Sequence, residues 1–126
     1  MEDYKSAAIR HLHDATALRD SGSLDNAGHL IGFAAECAIK LKISTLSGSA
    51  EAPHCHLPAL LDIARKHLGS RANYSGMYDI VKGDIFKSWN VNRRYAASGH
   101  TTNEELEEWF STTRRLFAQA QIKERK

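Results

Sequence analysis

Three shortages narrow the chain before any motif is read. Two cysteines in 126 residues, Cys37 and Cys55, cannot build the disulfide framework of a small secreted domain. Cys37 also lies in an apolar helical run, where a thiol behaves as a small hydrophobe. No apolar run reaches the roughly 20 residues that cross a bilayer, and the N-terminus has no signal-peptide pattern. A soluble, cytoplasmic protein with no membrane association is therefore expected. Charge of one sign is scarce too. A formal net charge of +2 and a pI near 8.6 fall short of a dedicated non-specific nucleic-acid binder. Strand-like alternation, internal repeats and low-complexity tracts are all missing, which leaves helices as the building material.

At 126 residues the chain has room for one core, so a single domain over 1–126 is expected. Residues 2–21 read as a helix, with Tyr4, Ala8, Leu12, Ala15 and Leu18 on one face and Ser21-Gly22 closing it. Ser23 is a candidate N-cap for a second helix, about Leu24 to Leu46, apolar nearly all round and so expected to be surrounded by other helices. Glu36 and Lys40 are its charged exceptions; four apart, they are expected to pair with each other. Ser47–Pro53 is a loop by composition.

His54-Cys55-His56 invites a metal reading, but adjacent and alternate ligands converge poorly and no second pair at zinc spacing follows. No metal or cofactor is expected, and His56 is assigned to the start of the next helix, with Pro58 in its first turn. Leu57, Leu60, Leu61, Ala64 and Leu68 outline that helix up to Gly69. After a polar break at Ser70–Gly76, Met77, Ile80, Val81 and Ile85 outline another, weakened by Gly83. A last helix, about Asn103 to Lys123, puts Leu106, Trp109, Phe110, Thr113, Leu116, Phe117 and Ala120 on one face. The expectation is an all-α, compact antiparallel bundle of four to five helices.

The stretch Trp89–His100 carries the chemistry. It holds two adjacent arginines flanked by aromatics, and a histidine six residues beyond Arg94. Thr101 with Glu104 and Thr102 with Glu105 both fit a capping box, which places His100 at a helix N-terminus, where free N–H groups and the macrodipole favour an anion. Arg93 and Arg94 add planar, bidentate donors, so a phosphate is the natural ligand. Tyr95, Thr101 and Thr102 complete the candidate phosphate-binding set. Basic residues gather between Arg65 and Arg94, while acids gather in Asp14–Asp25 and Glu104–Glu108, which allows a basic face there. The plainer alternative is two solvated arginines on a loop and a histidine beside a helix cap.

Three stretches, in order along the chain, resemble the HEPN domain (higher eukaryote and prokaryote nucleotide-binding). They are Ala27–Lys40 with its Ala-Ala-Glu and following lysine, His56-Leu57-Pro58-Ala59-Leu60-Leu61, and Trp89-Asn90-Val91-Asn92-Arg93-Arg94-Tyr95. The resemblance implies a HEPN-like helical bundle that forms a homodimer. It also implies a metal-independent endoribonuclease of toxin or defence type, with Arg94 and His100 as catalytic residues in a cleft between protomers. In such enzymes Arg, four to six residues, then His line the site, and the RNA 2′-hydroxyl attacks the adjacent phosphate. His100 would move the proton and Arg94 would steady the charge on the phosphorane. Tyr95 departs from the polar residue that usually follows the arginine. Thr102 stands where toxins paired with a nucleotidyltransferase antitoxin often carry a tyrosine. The alternatives are a non-catalytic nucleotide- or phosphate-binding module and a docking partner of a nucleotidyltransferase.

Overall fold

Asp3 begins the first helix: its carboxylate accepts the Ser6 backbone N–H at 3.0 Å, satisfying one of the free donors of the first turn. In the computed structural model, which describes residues 3–45, 55–68, 75–90, 92 and 98–123, α1 runs Tyr4–Asp20 and α2 runs Leu24–Ser44. Gly22, at φ +87°, makes the turn between them. The Ser23 N–H reaches back to the Leu18 carbonyl at 2.8 Å. Ser23 occupies the N-cap as expected, but its side chain makes no capping bond.

The sequence periodicity is realised with small residues at the closest approach. Ala8 and Ala15 of α1 are fully buried, as are Ala27, Ala34, Ala35 and Ala38 of α2, and α1 and α2 form the most extensive helix pair. Short side chains let two backbones approach and keep the packing dense. α2 also packs against α3 (Ala59–Leu68) and α5 (Asn103–Gln119), and α4 (Ser75–Val81) lies against α3 and α5. The second helix is thus surrounded largely as its composition implies. Leu30, Phe33, Cys37 and Leu41 remain only half-buried, however, and form a partly open stripe. Among the described residues all regular structure is helical, compatible with a helical bundle, and no helix is long and apolar enough to cross a membrane.

Helix ends differ from the expectation where a terminal group is taken by something distant in sequence. α4 stops at Val81, before Ile85. Arg65 of α3 donates to the Val81 carbonyl at 2.8 Å and the Gly83 carbonyl at 3.1 Å, serving the open carbonyl end. α5 stops at Gln119 instead of continuing to Lys123. Gln121 adopts φ 59° and the Ile122 N–H turns back to the Phe117 carbonyl at 2.9 Å, which tucks Ile122 into the core. The expected loop at 47–53, Gly69 and most of the polar break at 70–76 lie outside the described residues.

Trp89, between α4 and α5, is fixed against α2. Its indole is buried and its Nε1 donates to the Gly28 carbonyl of α2 at 2.8 Å. The ring lies over Gly32, where an added Cβ would overlap the indole, and a Cβ on Gly28 would come to 2.9 Å from the Trp109 ring. Phe86, in the turn before Trp89, takes the left-handed backbone at φ 53°, a costly conformation for a bulky residue. It is held there by burial and by stacking of its ring on Trp109, with centroids 6.2 Å apart. Gly32→Ala is expected to destabilise the fold by about 1–3 kcal/mol through overpacking, despite the higher helix propensity of alanine. A denaturant melt giving equal or greater stability would show that Trp89 can move aside.

Candidate functional site

One face of α2 receives three connecting segments. Asp25, Gly28, Gly32 and Glu36 follow one another at spacings of three, four and four, so they line one stripe of the helix. The Trp89 indole sits on Gly32 and bonds to the Gly28 carbonyl. The segments leading into α5 and α3 end on the two carboxylates.

At the N-terminal end of the stripe, Asp25 Oδ2 accepts the Gly99 N–H at 2.6 Å and Oδ1 accepts the Thr101 N–H at 3.0 Å. His100 Nδ1 lies 3.1 Å from the same Oδ1. Gly99, at φ +86°, turns the backbone so that its N–H faces the carboxylate. The Gly99 N–H bond, with help from Thr101 and the neighbouring imidazole, holds the Asp25 carboxyl below the usual carboxylate range despite partial desolvation. Thr102 and Glu105 then form the capping box of α5. The Thr102 side chain accepts the Glu105 N–H at 3.1 Å, and Glu105 accepts the Thr102 N–H at 3.1 Å. Of the two boxes the sequence allows, this is the one formed, because Thr101 is buried with its N–H on Asp25.

The helix start predicted beyond His100 is therefore present, but its neighbouring donors are served from within the chain. Asp25 and Glu105 take the N–H groups of Thr101 and Thr102 that the sequence reading offered to a phosphate. Thr102 itself is exposed. The His100 side chain is 22% exposed, and its Nε2 is buried. An open cleft of about 490 Å³ adjoins Asp25, between the Gly22–Ser23 turn and Ser98–Gly99. Arg93, Arg94 and Tyr95 lie outside the described residues.

At the other end of the stripe, Glu36 corrects the expected pairing with Lys40. Its carboxylate, 3% exposed, turns away along the helix face. It accepts the Leu57 N–H at 2.9 Å and contacts His56 Nδ1 at 3.1 and 3.2 Å. A buried carboxylate must find donors, and a backbone N–H with an imidazole supplies them without leaving a lysine side chain in the core. His56 does anchor the start of the third helix, as its position suggested, and its carbonyl accepts the Leu60 N–H at 2.9 Å. Its side chain is 48% exposed. His54 lies outside the described residues.

Between the two carboxylates, Phe33 gathers three imidazoles: His29 at 4.6 Å, His11 at 5.8 Å and His56 at 5.9 Å between ring centroids, with the Trp89 ring at 5.8 Å. Burial, with Arg10 nearby, pushes the His11 imidazole below its ordinary value. Among the described residues no three His, Cys, Asp or Glu side chains are grouped so as to hold a metal ion. The basic face foreseen between Arg65 and Arg94 is partly consumed by local contacts. Arg65 pairs with Asp62 as well as the carbonyls above, Lys82 with Asp79 and Lys87 with Asp84.

Asp25 had no local signal, since its partners lie 74–76 positions away. Glu36 did have one: a carboxylate in the middle of an apolar helix implies a buried donor somewhere, although the sequence does not say which. Comparison with protein-family models, with curated proteins and with solved structures gave no match to this chain.

Two outcomes check this geometry. Glu36→Ala is expected to cost about 2–3 kcal/mol, because it strands the buried Leu57 N–H, while Lys40→Ala changes stability by less than about 0.5 kcal/mol; equal losses in paired denaturant melts would restore the intrahelical pairing. Asp25 has a lowered carboxyl, so its stabilisation is full above the ordinary aspartate value of about 3.9 and is lost as pH falls below it. The stability gap between wild type and Asp25→Asn should close as pH falls below about 4. A gap that persists undiminished to about pH 2 would mean that Asp25 does not act as the ionised acceptor.

Proposed function

We propose that this chain is a HEPN-like module acting on RNA as a metal-independent endoribonuclease of toxin or defence type, working as a homodimer. The observation that carries the reading is the carboxylate–imidazole contact of Asp25 with His100 at the start of α5, with five residues between His100 and Arg94. An imidazole held by a carboxylate is suited to proton transfer. The reaction needs little else from the protein, because the nucleophile belongs to the substrate. The RNA 2′-hydroxyl gives its proton to His100 as the O2′–P bond forms. The P–O5′ bond breaks, and an imidazolium returns a proton to the leaving 5′-oxygen. The products are a 2′,3′-cyclic phosphate and a 5′-hydroxyl. Arg94 is assigned to the charge that develops on the phosphorane, with Arg93 and Tyr95 beside it.

A second reading is favoured by the burial of His100 Nε2 and by the engagement of the Thr101 and Thr102 N–H groups within the chain. In it, His100 is a structural residue. The module then binds a nucleotide or phosphate through its arginines, or docks a separately encoded nucleotidyltransferase, without cleaving anything.

Incubation of a structured RNA panel in EDTA with wild type, His100→Ala and Arg94→Ala separates the two. The ribonuclease reading expects cleavage by wild type to cyclic-phosphate ends, and a loss of at least about 100-fold in each variant. Wild-type protein that leaves the panel intact at high concentration, or a fully active His100→Ala, would overturn it. A thermal shift with nucleotide, lost in Arg94→Ala, would then support the binding module.

A further inference from the structure

We infer that Asp25 is the positioning residue of His100, fixing the imidazole as the tautomer with its proton on Nδ1 and its lone pair on Nε2. The consequence for rate rests on the ribonuclease reading above; the tautomer itself does not.

The argument begins with what a carboxylate can do. Ionised, it only accepts, so a ring nitrogen 3.1 Å from Asp25 Oδ1 must present a hydrogen to it. Neutral imidazole has one hydrogen to give, and committing it to Nδ1 leaves the lone pair on Nε2. Three features keep Asp25 ionised and still. The Gly99 and Thr101 N–H groups each donate to it at 2.6 and 3.0 Å, one on each side of His100 in the chain. Asp25 also lies in the second residue of α2, where the helix N-terminus favours a negative charge. Its carboxylate is thus anchored by the backbone on both sides of the histidine it orients, so ring and loop are aligned together. Nε2 is then the ring nitrogen that would exchange a proton with a substrate. It is buried in the single chain, so a substrate oxygen meets it only where that edge is uncovered.

Asp25 also has a purely structural task, joining the α5 approach to α2, so stability alone does not test the inference. The deciding measurement is histidine side-chain 15N NMR on the full chain, at a pH high enough that the imidazoles are neutral, with His100 assigned by its loss in His100→Gln. Wild type is expected to show the Nδ1–H form. Asp25→Asn, which keeps the side-chain size should Asp25→Ala fail to fold, is expected to lose that preference, giving the Nε2–H form or a mixture. An Nε2–H signal in wild type, or an unchanged Nδ1–H signal in folded Asp25→Asn, would overturn the assignment.

Where wild type cleaves RNA, Asp25→Asn should lower kcat by about 10- to 100-fold with KM held within about twofold, the pattern of a lost orientation in the transition state. A raised KM at unchanged kcat would overturn the positioning role. A wild type that shows the Nδ1–H form but cuts no RNA fails the ribonuclease reading and leaves the tautomer assignment standing.

Discussion

The contact on which the rest depends is the seat of the Trp89 indole against the two glycines of α2. A helix interior is an unfavourable place for glycine, by up to about 1 kcal/mol relative to alanine. Gly32 nevertheless leaves a space that the Trp89 indole fills, with its Nε1 bonded to the Gly28 carbonyl one turn earlier. Without that space the ring could not approach, and Trp89 would lose its place on α2. Trp109 and Thr101 also approach Gly28, so the same missing side chain admits α5 and the loop before it. One small residue thereby brings three separate parts of the chain together.

The carboxylates extend this arrangement in both directions. Asp25 collects the backbone on either side of His100, and Glu36 collects the start of the third helix through Leu57 and His56. Both acids act on segments that have no regular structure of their own, where unpaired N–H groups are most in need of acceptors. The same geometry that orders the loops also orients two imidazoles, one largely covered and one half-exposed. In the proposed reading structural and chemical roles share atoms here, and tautomer and rate measurements can separate them where stability measurements cannot.

The legible parts of the sequence were those whose partners lie within about one helical turn. The stripes of α1 and α5, the Gly22 turn and the Thr102–Glu105 capping box all depend on residues three or four apart, and each is found where the spacing put it. Glu36 shows the limit: its four-residue neighbour Lys40 was the nearest charge in sequence, but the carboxylate is satisfied by a loop 20 residues on. Asp25 reads in the sequence only as one acid of a cluster, because an acid near a helix start is locally unexceptional and its three contacts come from beyond the middle of the chain. The early end of α5 was hidden for a similar reason. Its helical pattern continues past Gln119, and only burial of Ile122 behind a left-handed Gln121 turns the chain aside. For the candidate site, His100 and Thr102 stand at the expected helix start, but what surrounds them was not readable.

The α2 stripe has a bearing on which lengths of this helix are permitted. Each added or removed residue rotates everything downstream by about 100°. A one-residue deletion between Asp25 and Glu36 would leave the first carboxylate beneath Gly99 and Thr101 but swing the second away from Leu57. Gly28 and Gly32 would be split between two faces. Substitutions in this stretch can be absorbed one at a time, whereas an insertion or deletion breaks several attachments together. The interval from Asp25 to Glu36 acts as a ruler, and its length is constrained as tightly as the residues that mark it.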